Sequence, residues 1–346
     1  MSSERAKTTT RDQRHQRCAA WLEGASDEEL IELLSDPQLL EAGHSVVRLP
    51  QGAETVFVKL VPVTALELVP ENRDVTANIF GLPVRYQYRI GSCGFGAWRE
   101  LAVHRLANDW VLSGQCAGFP LLHHWRILPV VRTGYDDTRS LQPWGGCPQI
   151  HQRVTAVNEA TSSAVLFLEY FPFTLSQWFR DQMGRASDPV AFIRRIEGQL
   201  EELLTVAHRH GLLHLDAHFD NVLTDGLQLY LGDYGLSISR GFELGPDEEA
   251  FFEEHQDFDL CTAINSLVHA VVTYYDPTED WRQTLREMAA GSHDAVSGAP
   301  EAVRSFVLQR APLALAVGEF YGRLLADPTT SYPAATFHRL LEKITL

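Results

Sequence analysis

Residues 208–239 read HRHGLLHLDAHFDNVLTDGLQLYLGDYGLSIS and hold two acidic sites separated by a β-hairpin. Asp216 is followed five residues later by Asn221, and after the hairpin comes Asp233-Tyr234-Gly235. That order brings Asp216, Asn221 and Asp233 to neighbouring loop ends. Their side chains are hard oxygen donors of the kind magnesium prefers, and the remaining carboxylate can serve as a base.

Upstream of this stretch the chain is β-rich. Alternating segments at 45–49 and 55–60, joined by Pro50-Gln51-Gly52-Ala53-Glu54, predict a hairpin. A further strand is expected at 85–90, after which Gly91, Gly94 and Gly96 lead into a helix over 97–110. Strands around 121–131 and 164–170 complete a small sheet. Nearer the start, Ser26-Asp27-Glu28-Glu29 has the form of a capping box, with Leu30, Ile31, Leu33 and Leu34 as the apolar face of a short helix. Residues 1–18 carry Arg5, Lys7, Arg11, Arg14 and Arg17 without apolar periodicity and are expected to be a disordered tail. The composition changes near Phe171-Pro172, beyond which apolar spacing is mostly helical. The expected division is therefore 19–171, with an insertion at about 61–96, and a helical unit at 172–346.

The central stretch resembles the protein kinase superfamily, including its atypical bacterial and aminoglycoside phosphotransferase-like members. The family's H-R-D-x-x-x-x-N loop is matched by His214-Leu215-Asp216 with Asn221, and its D-F-G by Asp233-Tyr234-Gly235. Val56-Phe57-Val58-Lys59 looks like the V-A-I-K strand, and Phe167-Leu168-Glu169-Tyr170 like the strand entering the hinge. The segment Thr174-Leu175-Ser176-Gln177-Trp178 resembles the first helix of the larger lobe, so the resemblance spans roughly 43–265. It implies a bilobal α+β fold with a small β-rich N-lobe and a larger, mostly helical C-lobe. It also implies an enzyme, a cytoplasmic kinase that uses ATP and Mg2+ to phosphorylate a hydroxyl.

Carried over by residue, Lys59 meets the α- and β-phosphates and Glu100 is its ion-pair partner. Asn221 and Asp233 hold magnesium, and Asp216 meets the acceptor hydroxyl with His218 beside it. Gly43 and Ser45 stand where the phosphate-covering loop would be, and Glu169 and Phe171 flank the nucleotide at the hinge. Either Asp257 or Asp259 braces the catalytic loop.

The chain also departs from the family pattern. No G-x-G-x-x-G precedes Lys59, and Gly91, Gly94 and Gly96 before a helix N-terminus are a second candidate for an anion. Leu215 replaces the Arg that pairs with a phosphorylated activation loop, and the acidic run at Asp247, Glu248, Glu249, Glu253 and Glu254 reads as a solvated helix face. His208, His210, His214 and His218 span a helix end and a loop rather than one helix face, which disfavours zinc.

With 29 Lys+Arg against 45 Asp+Glu, the net charge of −16 disfavours nucleic acid and anionic membrane as partners. Five scattered cysteines without a CxxC pair fit reduced thiols. The 47 residues between Glu169 and Asp216 are a compact interval, similar to protein kinases, and favour a protein or peptide Ser/Thr acceptor. A small-molecule kinase of the aminoglycoside or choline type, and a nucleotide-binding pseudokinase scaffold, remain as alternatives.

Overall fold

The computed structural model describes residues 2–50, 54–133, 138–277, 280–291, 296 and 298–345, so the turn expected at 51–53 lies outside the described residues. The chain opens with helices α1 (Ser2–Gly24), α2 (Asp27–Leu33) and α3 (Pro37–Ala42). The expected disordered tail is thus part of a helix. Cys18 and Leu22 on α1 are buried, and Arg11 is held by the main-chain carbonyls of Ala117 and Phe119 and by the Glu169 carboxylate. These contacts offset the entropy of ordering the segment. The Ser26–Glu29 capping box starts α2, as its sequence predicts.

Strands β1 (His44–Arg48) and β2 (Thr55–Val63) form the antiparallel hairpin. Helices α4 (Ala65–Leu68) and α5 (Ala97–Leu112) precede β3 (Leu122–Leu128), and helix α6 (Pro148–Asn158) precedes β4 (Ser162–Glu169). The four strands make one antiparallel sheet in the order β1-β2-β4-β3. Alternation along β2 sorts its side chains between two cores. Val56, Val58 and Leu60 pack with Cys18, Leu22, Leu30, Leu34 and Leu39, whereas Val61 and Val63 pack with Trp98 and Leu101 of α5. Lys59 therefore emerges on the α5 face.

Residues 85–90 do not form the expected strand; Val84–Gln87 is a 3-10 turn introduced by Pro83. The period-2 pattern of Tyr86, Tyr88 and Ile90 is real, but it serves two cores. Tyr86 packs with Phe80, Leu82 and Phe95, while Tyr88 and Ile90 join the large helical core. The rest of this insertion turns on Glu67 of α4, which is 1 % exposed. Its carboxylate accepts hydrogen bonds from Thr64 N, Thr64 Oγ1 and Ala97 N, and pairs with Arg153 of α6 at 3.0 Å.

Beyond β4 come β5 (Phe173–Thr174), α7 (Leu175–Met183), α8 (Pro189–Arg209) and the short strands β6 (Leu212–Leu213), β7 (Val222–Thr224), β8 (Leu229–Leu231) and β9 (Ile238–Ser239). Helices α9 (Pro246–Glu254), α10 (Phe258–Tyr275), α11 (Trp281–Ala289), α12 (Glu301–Ala326) and α13 (Ala334–Thr345) follow. The architecture is mixed α+β. Helix α10, with Cys261, Ala263, Leu267, Val268, Val271 and Val272 buried, runs through the helical core. Among the described residues no helix is long and apolar enough to cross a membrane.

Candidate functional site

The register of β2 against β4 puts Lys59 opposite Leu166 and aims it at α5. There its ammonium lies 2.6 Å from Glu100 Oε1 and 2.8 Å from Asp233 Oδ1. The α5 carboxylate expected from the sequence is thus the one that meets Lys59. Asp233 and Glu100 hold the lysine firmly in its charged form, raising its pKa against the opposing effect of burial. The same ammonium drives the Asp233 carboxyl well below its ordinary range, whereas burial raises Glu100 despite Lys59.

The loop below is held by backbone contacts. Asp259, at the start of α10, accepts from His214 N at 2.6 Å and Leu215 N at 2.7 Å. It is Asp259, not Asp257, that braces this loop; Asp257 pairs instead with His338 of α13. The brace matters because Leu215 has φ +61°, a left-handed conformation unfavourable for a branched residue. Asn221 Nδ2 donates to Asp216 Oδ2 at 2.9 Å and to the Asp216 carbonyl at 3.0 Å, and Gly232 N donates to the Asn221 carbonyl. These bonds place Asn221 beside Asp233 in one strand-end cluster. Asp233 also has φ +61°.

A column of rings joins α5 to both loops. His104, one turn after Glu100, lies 4.6 Å from the Tyr234 ring, which lies 5.8 Å from His214. His214 in turn contacts the Gly232 carbonyl through Nε2 at 2.8 Å. Among the described residues both ring nitrogens of buried His104 lack hydrogen-bond partners, and burial pushes its pKa down to about 3.

The glycines before α5 do not offer an open anion site. Glu67 already caps the helix through Ala97 N, and a Cβ on Gly94 would meet the Gly235 carbonyl at 2.5 Å. The stretch is a spacer pressed against Asp233-Tyr234-Gly235. Two further contacts lock α5 to the segment after that motif. Buried Arg99 meets Glu248 of α9 at 2.7 Å and the Thr76 carbonyl at 2.7 Å, and Thr76 N donates to Glu243. Glu248 is therefore a buried exception within the acidic run, whereas Asp247, Glu249, Glu253 and Glu254 are exposed.

Gly43 ends α3 at φ +78° and accepts from Leu60 N, so a helix rather than a glycine-rich hairpin precedes β1. Ser45 pairs with Val58, on the sheet face opposite to Lys59; His44 is the residue that pairs with Lys59. The Glu169 carboxylate is taken by Arg11 and Leu121 N, and Glu169 N donates to the Leu121 carbonyl. Phe171 stacks on Tyr230 at 3.9 Å, with the Arg11 guanidinium 5.3 Å from that ring. His218 Nε2 and Arg89 Nε stand 3.6 and 3.5 Å from Asp216 Oδ1.

Asn221 Oδ1 and Asp233 Oδ2 accept no hydrogen bond among the described residues, which leaves one hard oxygen free on each side chain. That donor set fits magnesium, which takes few protein ligands and completes its shell with water and phosphate. Arg11, Arg89 and Arg99 carry no local motif, and only their contacts single them out, whereas Glu67 is legible as the last residue of the capping box Thr64-Ala65-Leu66-Glu67. No protein-family model matches the chain, and no curated protein matches it by sequence.

Two outcomes are expected. Asp259→Asn removes one of two backbone acceptors at a buried site and should lower stability by about 1–3 kcal/mol, whereas Asp257→Asn should change it by less than about 0.5 kcal/mol. Urea midpoints measure both, and equal effects contradict the bracing role. His104 is neutral in the folded chain and takes up its proton near pH 6.5 when unfolded, so its contribution is full above that pH and is lost as pH falls toward about 3. His104→Phe keeps the ring contact and should flatten the fall of unfolding free energy between pH 6 and 4 by up to about 1.4 kcal/mol per pH unit. An unchanged slope contradicts a buried neutral histidine.

Proposed function

We propose that this chain is a magnesium-dependent ATP:hydroxyl phosphotransferase of bilobal, protein kinase-like architecture, with the β1–β4 sheet and α5 as the smaller lobe. The observation that carries the reading is Lys59 clasped between Glu100 and Asp233, with Asp216 and Asn221 hydrogen-bonded on the adjoining loop. An ammonium fixed by two carboxylates from separate elements is a preorganised donor for phosphate oxygens.

In this reading Asn221 and Asp233 hold the magnesium, which neutralises charge on the transferring group. Lys59 orients the α- and β-phosphates, and Glu100 fixes Lys59. The main chain near Glu169 and the Phe171–Tyr230 stack border the base. Asp216 positions the acceptor hydroxyl and takes its proton as the new O–P bond forms and the bond to the ADP oxygen breaks. The Arg99–Glu248 pair keeps α5 in place without a phosphorylated loop, consistent with Leu215 standing where an arginine would read one.

A nucleotide-binding scaffold is the second reading, favoured by the helix that replaces a glycine-rich hairpin before Lys59. The two separate on Asp216→Asn. With γ-labelled ATP and magnesium, the phosphotransferase reading predicts turnover reduced by about 100-fold or more, to water or any acceptor. MgATP affinity should stay within about threefold by calorimetry. Turnover that survives the substitution contradicts the role of Asp216, and binding without turnover in the unsubstituted chain selects the scaffold.

A further inference from the structure

A 710 Å³ cavity lies between α7, the loop after Asp216 and helices α10 and α11. Its size is that of a small-ligand site. It reaches the proposed base through two lining residues, Arg89 and His218, whose contacts with Asp216 Oδ1 are given above. The wall also carries Arg180 and Arg282, so three arginines line one cavity in a chain of net charge −16. Asp220 is the single carboxylate among the described lining residues, and it faces His218 Nδ1 at 3.7 Å.

Unlike Arg89, which meets Asp216, the other two make no ion pair among the described residues. Among the described residues Arg180 has no carboxylate partner, and Arg282 lies against Gly318 and 5.0 Å from the Trp281 ring with its Nε buried and unpartnered. On the same wall Asn265 Oδ1 and Thr273 Oγ1 are buried without hydrogen-bond partners among the described residues. His269, also on the wall, is lowered in pKa by burial and then by Arg282, so the guanidiniums supply the positive charge there.

We infer that this cavity binds the phosphoryl acceptor, an alcohol carrying a phosphate or carboxylate group that Arg180 and Arg282 hold while its hydroxyl faces Asp216. Planar guanidiniums match such oxyanions with paired hydrogen bonds. Arg89 is positioned to leave Asp216 for the incoming anion as the hydroxyl takes its place. A polycationic acceptor of the aminoglycoside kind, or choline, would set like charges against the wall. The assignment as acceptor site rests on the phosphotransferase reading; the anion binding does not.

The test is calorimetry on the full chain saturated with MgADP, which keeps anions out of the nucleotide site. The probes are inorganic phosphate, glycerol 3-phosphate, glycerol, choline, kanamycin, and Ser peptides flanked by Glu or by Arg. Glycerol 3-phosphate or the Glu-flanked peptide should bind about tenfold or more tightly than its neutral or cationic counterpart. Which of the two binds identifies a small molecule or an acidic polypeptide as the source. Arg180→Gln with Arg282→Gln should weaken that binding by about tenfold or more, and the exposed Arg180→Gln alone should weaken it in the same direction. Arg185→Gln, on the surface outside the cavity, should leave it unchanged. No anion binding, binding equal for cations, or binding indifferent to these substitutions overturns the inference. Anion binding lost with Arg180 in a chain that takes no MgADP would uphold the anion site and sink the phosphotransferase reading instead.

Discussion

One ammonium ties the molecule together at its centre. Lys59 leaves the sheet toward α5 and joins Glu100 of that helix to Asp233 of the loop beyond β8. Separating any of the three leaves charge without compensation in a partly buried setting, where burial already disfavours the charged carboxylate of Glu100. The position of α5 and the conformation of Asp233-Tyr234-Gly235 are therefore coupled through the same pair of contacts. If the cluster takes a nucleotide as proposed, its positive charge is fixed before the ligand arrives, which avoids reorganisation when charge develops.

The surrounding polar contacts explain why α5 stays where Lys59 needs it. Glu67 caps the N-terminus of α5 and pairs with Arg153, so α4, α5 and α6 share one buried carboxylate. Arg99, in the same first turn, pairs with Glu248 of α9. The rings of His104, Tyr234 and His214 meet edge-to-face from α5 down to the braced loop. Buried charges of this kind require full pairing, and that requirement makes the arrangement specific. The insertion that looks like an appendage in the chain is in this sense a support for the helix that positions Glu100.

Legibility in the sequence followed the range of the interactions. The hairpin and the helix over 97–110 were readable from local pattern, and the juxtaposition of Lys59, Glu100 and Asp233 from what the resemblance of short motifs to a known family implies. Residues 85–90 misled because Tyr86, Tyr88 and Ile90 alternate like a strand while packing into separate cores. The opening helix was missed because its anchor is Arg11, and nothing near Arg11 in the chain announces Glu169 or the carbonyls of Ala117 and Phe119. Asp257 and Asp259 were indistinguishable by spacing, and only the N–H groups of His214 and Leu215 choose between them. The arginines that line the cavity beside Asp216 come from three distant segments, so no local pattern could have assembled them.

The central claim is that Lys59 faces the phosphates of a bound nucleotide. Only Lys7, Lys59 and Lys343 occur in the chain, which makes a lysine-directed acyl-phosphate derivative of ATP a clean probe. Mass spectrometry after labelling with magnesium should find acylation concentrated at Lys59 and suppressed by excess ATP, with Lys7 and Lys343 indifferent to competition. Labelling spread over the three lysines and unaffected by ATP would contradict the account.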